Sequence, residues 1–245
     1  MGRRCLALML CVVLWAALLL PGMASALPIL DTSTDSRIVG VGLFFDALII
    51  RGRTEVAYLG PYGLQVPKDT GVPLGWMCFD AVPTMTLNES WAAYFTANPE
   101  QAAALWYGPT DPWGVEKIHM IAWLSTQWAG ASTAQLGAIN EALWEITADY
   151  AGTSGSLGLS GGSFAVSSSS PFKAAASGYL AAAYSHAVLG GEDMPALFLL
   201  PLDAAGQPDH HIQPFVTPVP EPATLLLLGS GLAGVGGLAW RRYRK

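Results

Sequence analysis

Cys78, in the apolar run Gly75-Trp76-Met77-Cys78-Phe79, is the side chain with the widest chemical range in the middle of the sequence. As a thiolate it would be a nucleophile; sealed in apolar surroundings it would be a small, inert hydrophobe. Asp80 follows two residues later, and on a strand that spacing puts both side chains on one face. Adding His119 completes the residue types of a Cys-dependent hydrolase, but nothing in the spacing brings His119 to the pair. Asp209-His210-His211 carries ligand-type side chains without a complementary cluster and reads as a solvated turn entering a strand, so no metal is expected. Asn88-Glu89-Ser90 has the form of a glycosylation sequon, and Asn88 equally suits a helix N-cap. Trp91, Trp106, Trp113, Trp123, Trp128 and Trp144 could stack on a sugar, yet at helical spacing most read as core. No cofactor fingerprint is found and no catalytic residue is assigned, so the expectation is a non-enzymatic protein.

The elements that position Cys78 lie between two terminal segments of different character. Of 245 residues only 12% are charged, against roughly 25% in ordinary soluble domains, and mean hydropathy is +0.38. Arg3 and Arg4 precede an apolar run from Cys5 to Leu20, which ends in Pro21-Gly22 and the small triplet Ala24-Ser25-Ala26. That order is a secretory signal peptide, residues 1–26, with Ala24 and Ala26 flanking the cleavage signal. Cys5 and Cys11 leave with it, so Cys78 stands alone in an oxidising compartment. At the other end Thr224 to Trp240 is an apolar run just long enough to span a bilayer. Arg241, Arg242, Arg244 and Lys245 follow it and should hold that end in the cytoplasm. Between the ends six basic residues face seventeen acidic ones, a net −11 that speaks against a nucleic-acid partner.

The exported middle, residues 27–218, predicts a single α+β domain in which a helical region is inserted between terminal groups of strands. Strands are expected over Ile38 to Phe45, Ala47 to Ile50, Glu55 to Leu59 and Leu74 to Phe79. Helices are expected to start at Asn88, at Asn98-Pro99, after Asp111-Pro112 and at Thr133, the last with a stripe of Leu136, Ile139, Leu143 and Ile146. Residues 152–170, nearly all Gly and Ser, predict a flexible surface excursion that need not pack. An Ala-rich helix over Phe172 to Val188 and strands over Ala196 to Leu200 and His211 to Val216 complete the domain, with a turn at Asp203-Ala204-Ala205-Gly206.

Two resemblances sharpen this reading. Val219-Pro220-Glu221-Pro222-Ala223-Thr224, the Gly-rich span after it and the basic tail closely resemble the PEP-CTERM sorting signal of bacterial surface proteins. The resemblance implies recognition of Pro220, Glu221 and Pro222 by an exosortase-type membrane protease. It implies a membrane anchor over residues 224–240 before processing, and delivery to the cell surface or an exopolysaccharide matrix. Adhesion, envelope or biofilm structure is then the expected role, with extracellular polysaccharide or a surface ligand as partner.

Trp76-Met77-Cys78-Phe79-Asp80, Ile121-Ala122-Trp123-Leu124 and Asn140-Glu141-Ala142-Leu143-Trp144 resemble the scaffold of bacterial Cys-Gln thioester domains. In that family a strand Cys attacks a Gln side-chain amide two positions before an Ala-aliphatic-Trp, storing an acyl group for capture by a surface nucleophile. The resemblance pairs Cys78 with Asn140, one methylene shorter than Gln. Two roles follow for Asn140: a buried amide that fixes strand against helix, or the acceptor of a covalent adhesin.

Overall fold

Strands rich in aromatic and β-branched residues at either end of the domain enclose a helical insertion whose first helix is set by Asn98. The computed structural model describes residues 34–40, 44–65, 74–83, 85–191 and 194–219, all within one unit, Leu30–Val219. The expected signal peptide with Ala24 and Ala26, the Pro220-Glu221-Pro222 motif, the apolar run 224–240 and the basic tail from Arg241 to Lys245 lie outside the described residues. Among the described residues no helix is long and apolar enough to cross a membrane.

Strands β1 (Thr34–Gly40), β2 (Phe44–Ile50), β3 (Arg53–Leu59), β4 (Tyr62–Gln65), β5 (Leu74–Cys78) and β6 (Ser90–Thr96) precede helices α1 (Pro99–Trp106), α2 (Gly114–Thr126) and α3 (Thr133–Asp149). Strand β7 (Phe164–Val166), helix α4 (Lys173–Ala183), a π-helical turn (Tyr184–Leu189), and strands β8 (Ala196–Leu202) and β9 (Phe215–Pro218) follow. The expected α+β order is present. Six strands close an antiparallel barrel in the order β1-β4-β5-β9-β8-β6, and β3-β2-β7 form a second antiparallel sheet. Closure removes the exposed edges that an open sheet would present.

Register places Tyr62 opposite Trp76, Met77 opposite Val216 and Cys78 opposite Phe215. Every residue of β5 from Trp76 to Cys78, and Phe79 after it, is buried, so the strand is packed on both faces. Tyr62 and Phe215 meet edge-on at 5.8 Å, Trp91 stacks on Phe215 at 6.2 Å, and Phe79 meets both Trp106 and Phe198 edge-on. Such aromatic contacts add to the area that the rings already bury. Among the described residues the tryptophans are therefore mostly core, as their spacing implies, except Trp113, which is 37% exposed, and half-buried Trp128.

The helix starts follow their capping chemistry. Asn98 accepts from the Gln101 backbone N–H at 2.9 Å and Pro99 occupies the first turn of α1. Asp111 accepts from the Trp113 N–H just before α2. Helix α3 is capped by Ser132 rather than Thr133, with Gln135 completing a reciprocal capping box. Asn88 begins no helix: it sits at φ 68°, exposed, donating its N–H to Ile38 O before β6. Left-handed backbone is tolerable for Asn and closes a turn there instead.

The segment 152–170 also departs from expectation. It contains β7, paired with β2 through Leu48↔Val166 and Ile50↔Phe164, and Leu159, Phe164, Ala165 and Val166 are buried. Its few apolar residues suffice to pack it. Toward the C-terminus the strand begins at Phe215 rather than His211, because Asp209 accepts from the His211 N–H and holds a turn.

Helix α3 is buried continuously from Gly137 to Ile146, well beyond the expected stripe. It is enclosed by α2, α4, β3, β5 and β7. Trp144, 1% exposed, meets Phe164 of β7 edge-on at 6.1 Å. Replacing Trp144 by Ala is expected to cost on the order of 3 kcal/mol or more, from lost burial plus a cavity. A denaturation curve checks this, and an unchanged midpoint would make the ring dispensable to the core.

Candidate functional site

Asn140 and Cys78 are brought together by the packing of α3 across the end of β5. Both are fully buried. The Asn140 amide nitrogen donates to the Cys78 carbonyl oxygen at 2.9 Å and lies 3.8 Å from Cys78 Sγ. Its oxygen accepts from the Gly60 N–H at 2.9 Å. Gly60, at φ 98°, follows β3 in a conformation that a side chain would strain, and so turns its N–H toward the helix. The amide is therefore held at both ends by main chain, each bond removing a polar group that burial would otherwise leave unmade.

Burial is the largest influence on the Cys78 thiol and pushes its pKa up to about 12, against smaller opposing effects of Asn140, Trp144 and Tyr62. Asp80 adds to the rise. Tyr62 is itself pushed well above the usual phenol range, first by burial and then by Cys78, and its hydroxyl donates to Tyr58 O at 2.6 Å. The buried Trp144 indole N–H meets no acceptor at regular hydrogen-bond geometry, and its pull on the thiol is weaker than the effect of burial. The thiol thus sits among two aromatic rings and one amide, in surroundings that keep it protonated.

The other candidate residues are placed differently. Asp80 accepts from the Val82 N–H at 2.9 Å, its pKa raised chiefly by burial, and His210 and Arg51 oppose that rise. His210 rests against the Trp106 ring at 4.5 Å, so the histidine near Asp80 comes from the turn before β9. His119 is half-buried on α2. Asp209 is engaged with His211 N and, through its own N–H, with Pro201 O. Among the described residues no three His, Cys, Asp or Glu side chains come together to hold a metal. A cleft of about 170 Å³ opens beside Asp80, lined by Arg51, Val82, Thr147, Ser163 and Phe164.

Sequence reasoning missed two buried acids on the same helix. Glu141 and Glu145 are both 0% exposed. Their position beside Leu143 and Trp144 hides them, since a Glu within a helical pattern ordinarily marks the solvated face.

Comparison with known proteins adds the following. Residues 218–245 match the PEP-CTERM protein-sorting motif. No curated protein matches the chain. Among solved structures, the N-terminal thioester domain of protein F2 like fibronectin-binding protein from Streptococcus pneumoniae is similar at 13% identity and a TM-score of 0.41, over 76% of this chain and 95% of that one.

Two outcomes follow from the site. Replacing Asn140 by Ala strands the Gly60 N–H and the Cys78 carbonyl in the interior, which is expected to cost roughly 2–5 kcal/mol in urea denaturation; a loss within experimental error would show that the amide holds nothing. The second concerns pH. The folded thiol pKa lies above its ordinary value of 9.0, so its contribution to stability is present below pH 9.0 and is lost as pH rises through about 12. Near pH 9.0, where an ordinary thiol is half ionised, native Cys78 is expected to resist iodoacetamide and to react fully once unfolded. Rapid alkylation of the folded protein would contradict this.

Proposed function

We propose that this chain is an exported surface protein, sorted by an exosortase-type system, whose domain serves a non-enzymatic role in adhesion or in envelope or biofilm structure. The observation that carries the reading is the sorting motif over residues 218–245, in which Pro220-Glu221-Pro222 precedes an apolar run and a basic tail. Proline cannot continue a helix and restricts the residue before it, so a Pro-Glu-Pro sequence suits capture by a membrane protease. The apolar run 224–240 anchors the precursor with Arg241, Arg242, Arg244 and Lys245 on the cytoplasmic side. After processing, the domain passes to the cell surface or extracellular matrix, where polysaccharide or another surface ligand is its partner.

The non-enzymatic part of the reading is supported by the state of Cys78. It is buried and protonated, and its neighbouring amide is engaged with main chain on both sides. A second reading, a covalent adhesin, draws on the same contacts. The Gly60 N–H on the Asn140 oxygen would stabilise negative charge if Sγ attacked the amide carbon, closing a thioester and expelling ammonia. The shorter side chain, and the amide nitrogen's closer bond to the Cys78 carbonyl at 2.9 Å than to Sγ at 3.8 Å, favour the scaffold role.

Replacing Glu221 by Ala tests the sorting reading. Fractionation and mass analysis in the native host are expected to find a membrane-bound precursor that retains the span and basic tail. Release of the variant as efficiently as wild type would overturn it.

A further inference from the structure

Glu141, Glu145 and Asp149 recur every four residues on α3 and so share one face of the helix. Each grips a different point of the segment that follows. Glu141 accepts from Ser170 Oγ at 3.1 Å and Glu145 from the Gly158 N–H at 2.6 Å. Asp149 accepts from the Ser163 and Phe164 N–H groups at 2.8 and 2.9 Å. Gly162, at φ 99°, lies so close to Asp149 that a side chain there would collide with the carboxylate. The β7 ladder on β2 holds the same segment, and beside it the Arg51 N–H donates to Ser163 O and Lys173 Nζ to Val166 O. What the segment covers is the Trp144 ring, through Phe164.

The fastening is incomplete at its buried end. Glu141 Oε2, Glu145 Oε2 and Asp46 Oδ2 on β2 are buried and no donor group reaches them, and Glu141 can bond to Asp46 only through a proton that one of the two holds. Asp46 faces Glu141 from β2, Lys173 approaches it from α4, and Asp149 acts on Glu145 from one turn along α3. A carboxylate buried with an unpaired oxygen beside another acid is stable only while it carries a proton.

We propose that residues 158–170 are a pH-sensitive strap, fastened over Trp144 while Glu141 and Glu145 are protonated and loosened when both give up their protons to solvent. The energetics agree with the geometry. Burial, reinforced by Asp46 and opposed by Ser170 and Lys173, raises Glu141 to about 8. Burial, opposed by the Gly158 N–H and reinforced by Asp149, raises Glu145 to about 7. Both folded values lie above the ordinary 4.5, so the strap's full stability holds below pH 4.5 and is lost as pH rises through 7 and 8. An exported protein meets the pH of its surroundings directly, so the strap makes exposure of the Trp144 face a function of the medium.

Hydrogen exchange on the purified full-length protein tests this, with correction for the intrinsic pH dependence of amide exchange. Between about pH 6 and about pH 9, protection over residues 158–170 is expected to fall at least about tenfold in wild type. Helix α2 should keep its protection. The E141Q/E145Q variant keeps the acceptor oxygens without the ionisation and is expected to hold protection at both pH values. E145Q alone, used should the double variant fold poorly, is expected to remove the loss near pH 7 and leave the one near pH 8. Equal wild-type protection at both pH values, or the same loss in wild type and variants, would overturn the proposal, because a cause outside these two acids would act alike in all of them.

Discussion

The side-chain amide of Asn140 joins the turn after β3 to the end of β5, accepting from the Gly60 N–H and donating to the Cys78 carbonyl from within helix α3. One of those strands belongs to the barrel and the other to the second sheet, so a single buried group fixes both relative to the helix that packs between them. A buried amide is costly unless every hydrogen bond is made in one geometry, which is why it specifies an arrangement that apolar packing alone would leave free to slide. The clamp holds the Cys78 carbonyl, while strand register and aromatic packing place Trp76 and Phe79 on either side of the buried thiol.

The same helix carries a second polar system on its Glu141, Glu145 and Asp149 face. These carboxylates do for the Gly- and Ser-rich segment what apolar side chains do for the barrel: they bind main-chain and hydroxyl donors that would otherwise require water. Glycine is needed there for close approach, most clearly at Gly162 against Asp149. The composition that reads as flexibility is thus the composition that lets backbone reach a buried carboxylate. Asn140 is satisfied at both ends, whereas Glu141 and Glu145 each keep a buried oxygen that no donor group reaches. One polar system is permanent and the other responds to protons.

The strand, helix, strand order was legible because the apolar spacing changes with the element, and Asn98-Pro99 reads directly as a helix start. The pairing of Cys78 with Asn140 was legible through short motifs around Trp76 and Trp144. Closure of the barrel was not, since register such as Cys78 opposite Phe215 joins residues far apart in sequence. Asn88 misled because the same side chain suits a cap and a left-handed turn, and the contact of its N–H with Ile38 O decided between them. His119 was the nearer histidine in sequence, yet His210 reaches Asp80 through the turn that Asp209 holds. Buried acids stayed hidden for the general reason that sequence reports a residue's type, while burial is decided by what packs over it.

The intact mass of the purified protein bears most directly on the role assigned to Asn140. If the amide is a clamp, the mass equals that of the processed sequence, and one free thiol titrates after unfolding. A mass lower by one ammonia, a peptide linking Cys78 to Asn140, and its loss on treatment with methylamine would contradict the account and make the pair a covalent acyl donor.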